Sequence, residues 1–228
     1  MKSRKIFLNE YVQNCTNWCW AVACRMVGEQ FKRNNPSFNF QIPHEERLYI
    51  DEEMRMVHNQ DIIFYYCTGV RTDVVWQENG LYLLDSAQRF IVKNANTIYP
   101  GCDGNWPGDD EAKERGLKYV VTGKCDSDLI QIVNLGYFDS EDSLLVHNVE
   151  QIRNVFAHND YMIGNAVLYP KGICHSFVLL DWTEEDEILI YDPWDGTFAF
   201  LSVADVFCHG ISSSLERYAD IGITLHLR

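Results

Sequence analysis

Three side chains in this 228-residue chain have the types and local settings of an activated nucleophile: Cys19, His175 and Asp192. Cys19 opens the segment Trp20-Ala21-Val22-Ala23-Cys24-Arg25-Met26-Val27-Gly28-Glu29-Gln30-Phe31, in which Ala23, Val27 and Phe31 recur four apart. That period predicts a helix, with Asn17 as its N-cap and Cys19 in its first turn. A thiol there is acidified by backbone N–H groups that lack helical partners and by the helix dipole. The flanking Trp18 and Trp20 predict a semi-buried sulfur. His175 begins one apolar run and Asp192 ends another. Strands over 176–182 and 187–191, joined by the polar turn Thr183-Glu184-Glu185-Asp186, bring the two together although 17 residues separate them. A carboxylate bonded to an imidazole fixes its tautomer and supports the imidazolium that forms when the ring takes a proton. Gln13, six residues before Cys19, offers a side-chain amide to a developing oxyanion, and the Cys19 N–H offers a second donor. Taken singly, each residue also reads as a packing cysteine, a turn-capping histidine or a surface amide.

The block Gln13…Asn17-Trp18-Cys19-Trp20-Ala21 resembles the active-site opening of papain-like cysteine peptidases. Its wording is closer to the bacterial branches, the AvrRpt-type effector proteases and the peptidase C39-like proteins. His175-Ser176-Phe177-Val178-Leu179-Leu180 is similar to their histidine strand, and Tyr191-Asp192-Pro193-Trp194-Asp195-Gly196 to their Asp/Asn-Pro-Trp-x-Gly block. The resemblance implies Cys19 as nucleophile, His175 as general base and then acid, Asp192 as its orienting partner and Gln13 as the oxyanion-hole side chain. It also implies that Trp194 shields the Asp–His pair from water. The chain departs from the pattern at Cys174, where a glycine usually precedes the histidine, and at Asp181, where a glycine often follows the histidine strand. The likeness covers residues 13–31 and 161–196. Segments 34–80 and 96–125 match no motif and are where substrate specificity is expected.

The elements that must position these groups read as α+β, and the resemblance implies a single papain-like catalytic domain spanning 1–228. A helical half covers about 1–135, with the nucleophile at a helix start, and a sheet-rich half covers about 140–228 and carries His175 and Asp192. Further expected helices are Glu45–Val57, Ser86–Lys93, Asp109–Gly116, Asp128–Leu135 and one from an Asn148 cap to His158. Expected strands are Asp61–Tyr66, Leu117–Thr122, Ser143–His147, Ala166–Tyr169 and Ile221–Leu227, in addition to the two beside the histidine. The turn-rich stretch Tyr99–Gly108 reads as a surface excursion.

Composition narrows the remaining classes. With 19 Lys and Arg against 33 Asp and Glu, the net charge is −14, which repels a phosphate backbone and excludes nucleic acid as the expected partner. Twelve Tyr, twelve Phe and six Trp exclude a disordered acidic chain. The eight cysteines lack paired C-x-x-C knuckles, so neither a zinc site nor a disulfide framework is expected. Cys174, next to His175, is the one candidate for a regulatory disulfide with Cys19. No signal peptide or membrane span is legible, and a cytoplasmic protein is the default, with signal-independent export as an effector the alternative. The expected activity is thiol-protease hydrolysis of a peptide bond, without metal or organic cofactor, on a protein or peptide substrate. Amidase, transpeptidase or transglutaminase-like acyl transfer on the same scaffold is the second reading, and a catalytically silent binding module the third.

Overall fold

The computed structural model describes residues 12–13, 18–41, 74–76, 82–84, 108–139, 144–147, 149–168, 173–203, 206, 220–221 and 225–228. The expected helices at Glu45–Val57 and Ser86–Lys93, the strand at Asp61–Tyr66 and nearly all of the Tyr99–Gly108 excursion lie outside them. The described fold is α+β, with an N-terminal helix and a C-terminal antiparallel sheet. Three helices are described: α1 (Cys19–Asn34), α2 (Asp110–Thr122) and α3 (Val149–Ala157).

Seven strands form the main sheet among the described residues. They are β3 (Ile132–Asn134), β6 (Met162–Leu168), β7 (Ile173–Trp182), β8 (Glu187–Asp192), β9 (Thr197–Ser202), β10 (Asp220–Ile221) and β11 (Leu225–Leu227). Their order is β3-β11-β6-β7-β8-β9, with β10 also on β6, and every pairing is antiparallel. Strands β6 to β9 follow one another as the meander that the alternating runs predict. Two small hairpins, β1 (Val74–Trp76) with β2 (Tyr82–Leu84) and β4 (Gly136–Asp139) with β5 (Leu144–His147), stand apart from it.

The period-2 alternation of β7 explains the layering. Val178 and Leu180 face the core formed with α1 and α2, where Ile163 and Tyr191 join them. Phe177 and Leu179 face the opposite core with Ile152, Val155 and Phe156 of α3, together with Met162, Ile188 and Ile190. A strand apolar on both faces is the signature of a sheet covered on both sides. The central sheet is thereby held between α1 and α2 on one side and α3 on the other.

Two local expectations are corrected. Residues 117–122 are the second half of α2, not a strand. Leu117, Val120 and Val121 are buried at helical spacing against α1, and that packing overrides the β preference of adjacent valines. The helix is bounded by Asp109, whose carboxylate accepts the Ala112 N–H at 2.7 Å, and by Gly123 in the left-handed region at φ +76°. The expected helix at 128–135 is replaced by β3, because this backbone pairs with β11 and is clamped by reciprocal Gln131–Arg228 bonds of 3.2 and 2.9 Å. The strand expected at 221–227 is described at its two ends, in β10 and β11, and residues 222–224 lie outside the described residues.

Gly28 sets the approach of α1 to α2. A Cβ built there would lie 2.5 Å from Val120 Cγ1 and 2.8 Å from Val120 Cβ, so the helices themselves would have to separate. Gly28→Ala is expected to lose about 1–3 kcal/mol by overpacking, outweighing its gain of roughly 1 kcal/mol in helix propensity. Denaturant melts of the two proteins measure the difference; a more stable alanine variant would contradict the close contact.

Candidate active site

Helix α1 is almost wholly buried from Cys19 to Gly28, and its N-terminus ends against the sheet. The N-cap position is Trp18, not the expected Asn17, which lies outside the described residues. Trp18 contributes no side-chain cap; only its carbonyl serves the helix, accepting from Ala21 and Val22 N–H at 3.1 and 3.2 Å. The physical consequence is that the N-cap residue places no side-chain oxygen in competition with the Cys19 sulfur for the electrostatic influence of the helix start. Cys19 is 6% exposed, more deeply buried than the flanking tryptophans alone imply.

Strand β7 meets this sulfur with two groups. The Ser176 N–H donates to Cys19 Sγ at 3.3 Å, and the adjacent His175 imidazole acts on the same sulfur, favouring its ionised form. The described pairing of β7 with β8 runs from Val178 to Trp182, so Ser176, two residues earlier, directs its N–H to the thiol rather than to that strand. His175 is the third residue of β7 rather than its start, and is buried among it.

Asp192 closes β8 and is also buried. Its Oδ1 accepts from His175 Nε2 at 2.7 Å and from the Trp194 N–H at 2.8 Å. Since a carboxylate only accepts, Nε2 carries a hydrogen, and Nδ1 is left as the nitrogen for the sulfur. The carboxylate is held by the turn Asp192–Gly196: the Gly196 N–H returns to the Asp192 carbonyl at 3.0 Å, with Gly196 at φ +73°. A side chain at Gly196 would also crowd Val12 Cγ2, 3.0 Å from an ideal Cβ. Glycine is therefore required twice there, for conformation and for the approach of the N-terminal segment.

That segment brings Gln13 to the site. Its N–H donates to the Pro193 carbonyl at 2.9 Å, so residues 12–13 lie across the turn that holds Asp192. The side-chain amide oxygen of Gln13 is buried. Trp194 is 50% exposed, and its described contact with the His–Asp pair is its backbone N–H on the carboxylate. Asp195, the other carboxylate of the turn, is engaged with Thr197 through its N–H and hydroxyl at 3.2 and 2.6 Å. Cys174 lies on β7 opposite Val167, and its side chain is outside the described residues.

The electrostatics separate Cys19 from the other buried thiol of α1. Burial pushes the Cys19 thiol up, but the His175 hydrogen bond and charge, the Ser176 N–H and the charge of Lys113 together bring it below the ordinary thiol value. Burial alone would lower His175, yet its bonds to Asp192 and Cys19 and their charges raise it to about 9. Both shifts favour one arrangement, a thiolate beside an imidazolium. Cys24, buried farther along α1 with its Sγ on the Lys113 carbonyl at 3.4 Å, is pushed up by burial and remains a thiol.

Sequence reasoning alone missed the Ser176 N–H and Lys113. The first leaves no signal, because every residue but proline has an N–H. The second was hidden in a helix read as charged and brief. The Trp194 N–H was legible in principle, since Asp-Pro-x commonly folds its carboxylate onto the backbone two residues on.

Thiolate and imidazolium have opposite pH limits. The thiolate forms as pH rises through the depressed Cys19 value, and the imidazolium is lost as pH rises through the elevated His175 value. The ion pair is thus populated between them, and inactivation of Cys19 by a neutral alkylating agent should proceed well below the ordinary thiol range. Asp192→Ala removes the main support of the imidazolium and should narrow that window from its alkaline side. A rate–pH profile unchanged by Asp192→Ala would contradict the coupling.

No protein-family model matches this chain, and no match was found among curated proteins.

Proposed function

We propose that this protein is a papain-like cysteine peptidase that cleaves a peptide bond through a Cys19 thioester. The observation that carries the reading is the His175 ring held by the buried Asp192 carboxylate at 2.7 Å, on the strand whose next residue, Ser176, donates its N–H to Cys19 Sγ at a helix N-terminus. A histidine bonded on one side to a buried carboxylate and on the other to a thiol whose ionisation is favoured is the arrangement nucleophilic catalysis needs.

The chemistry follows from the positions. The Cys19 thiolate attacks the substrate carbonyl carbon, and the carbonyl oxygen takes the charge of the tetrahedral intermediate. The Cys19 N–H and the Gln13 side-chain amide receive that oxygen, with Gln13 tethered through its backbone to Pro193 beside the catalytic carboxylate. The intermediate collapses by breaking the C–N bond, and the His175 imidazolium gives its proton to the leaving amine. Neutral His175 then takes a proton from water, which attacks the thioester and releases the acid and the thiolate. Asp192 remains ionised throughout and holds Nε2–H, so that Nδ1 always faces the sulfur.

The reading makes distinct demands on Cys19 and Asp192. Cys19→Ala should lower peptide cleavage at least about a thousandfold without changing the fold. Asp192→Asn should retain more activity than Asp192→Ala, because an amide oxygen still accepts from Nε2–H, whereas alanine should cost about tenfold to a thousandfold. Incubating wild type and the Cys19→Ala variant with a peptide library and sequencing the products by mass spectrometry tests the function. Fragments present with wild type and absent with the variant support it; equal fragments with both, or none with either, count against it.

A further inference from the structure

Lys113 is a lysine where lysine is costly. It lies in the first turns of α2, is 6% exposed, and its described charged partner is Asp110, with Nζ to Oδ1 at 3.2 Å. A buried ammonium persists where surrounding charge or function retains it.

The contacts along the α1–α2 interface show where that ammonium is carried. Gly108 packs against Trp20, the Lys113 carbonyl meets Cys24 Sγ at 3.4 Å, and Val120 lies against Gly28. The contacts advance together along both helices, so α1 and α2 run in the same direction with their N-termini side by side. Helical side chains lean toward the N-terminus of their own helix. The Lys113–Asp110 bond confirms that lean, since Asp110 lies one turn earlier. The ammonium is therefore directed from the level of Cys24 toward the level of Cys19. Its charge acts on both of these thiols, and favours their ionised forms. At Cys24 burial overrides it.

We propose that Lys113 is a positioning residue of the active site, a buried cation supplied by α2 that holds the negative charge of Cys19 before substrate arrives. The inference rests on the reading of Cys19 as the nucleophile and adds a second source of positive charge to the histidine. Asp110 moderates it: as a carboxylate exposed to solvent over about half its side chain, it neutralises the ammonium only in part.

The test needs no substrate. Carbamidomethylation of Cys19 by iodoacetamide is followed by peptide mass spectrometry as a function of pH in the full chain, for wild type, Lys113→Met, Lys113→Arg and Asp110→Asn. Lys113→Met should move the midpoint of the rate–pH curve upward and slow the reaction near about pH 6 by roughly threefold to thirtyfold, while the plateau at high pH is unchanged. Lys113→Arg should restore the wild-type curve, and Asp110→Asn should shift it downward. Superimposable wild-type and Lys113→Met curves overturn the inference. If Lys113→Met does not fold, as judged by circular dichroism, the Asp110→Asn curve decides: an unchanged or upward-shifted midpoint overturns it. A wild-type midpoint at the ordinary thiol value would instead overturn the reading of the site itself.

Discussion

The structure depends on one electrostatic constraint: a sulfur buried at the start of α1 can ionise only if charge and hydrogen bonds replace the water it has lost. Burial is the largest influence on Cys19 and opposes the thiolate. Where the opposing groups are too weak it yields an inert thiol, as it does at Cys24 farther along the same helix. What distinguishes the two positions is the company each sulfur keeps. Cys19 has the helix start, the Ser176 N–H and the His175 ring, whereas Cys24 has chiefly backbone and hydrocarbon around it; the charge of Lys113 bears on both.

Each of those groups is delivered by a different part of the fold, which is why the sheet and both helices matter to a site of a few atoms. The β6–β9 meander brings the end of β8 beside the early residues of β7 and so sets Asp192 against His175. The Asp192–Gly196 turn then fixes the carboxylate with the Trp194 N–H, and its Pro193 carbonyl tethers Gln13. Packing of α1 onto β7, β6 and β11 brings the sulfur to that edge. The close passage at Gly28 brings α2 near enough for Lys113 to act. A polar cluster of this kind is worth little unless every member is satisfied in place, so precision of packing and reactivity of the thiol are the same requirement.

Much of this arrangement was legible before any coordinates. The period-four spacing of Ala23, Val27 and Phe31 marked α1, and the alternating runs around His175 and Asp192 marked the strands that bring them together. These are short-range patterns whose tertiary context agrees with their local preference. Errors fell where context and preference disagree: the Val120–Val121 pair looks like strand and is helix because α1 covers it, and residues 132–134 look helical and are strand because β11 pairs with them. At Trp194 residue type reports the ring, whereas the group bonded to the Asp192 carboxylate is the backbone N–H. Lys113 was beyond reach altogether, because burial of a lysine follows from helix packing that no local window contains.

The most direct test of the central claim is to expose the full chain to less than one equivalent of iodoacetamide at mildly acidic pH and locate the modified residue by peptide mapping. A single adduct on Cys19, lost in Cys19→Ala and strongly slowed in His175→Ala, is the predicted result. Modification distributed over the other cysteines, or a Cys19 rate indifferent to the loss of His175, would contradict it.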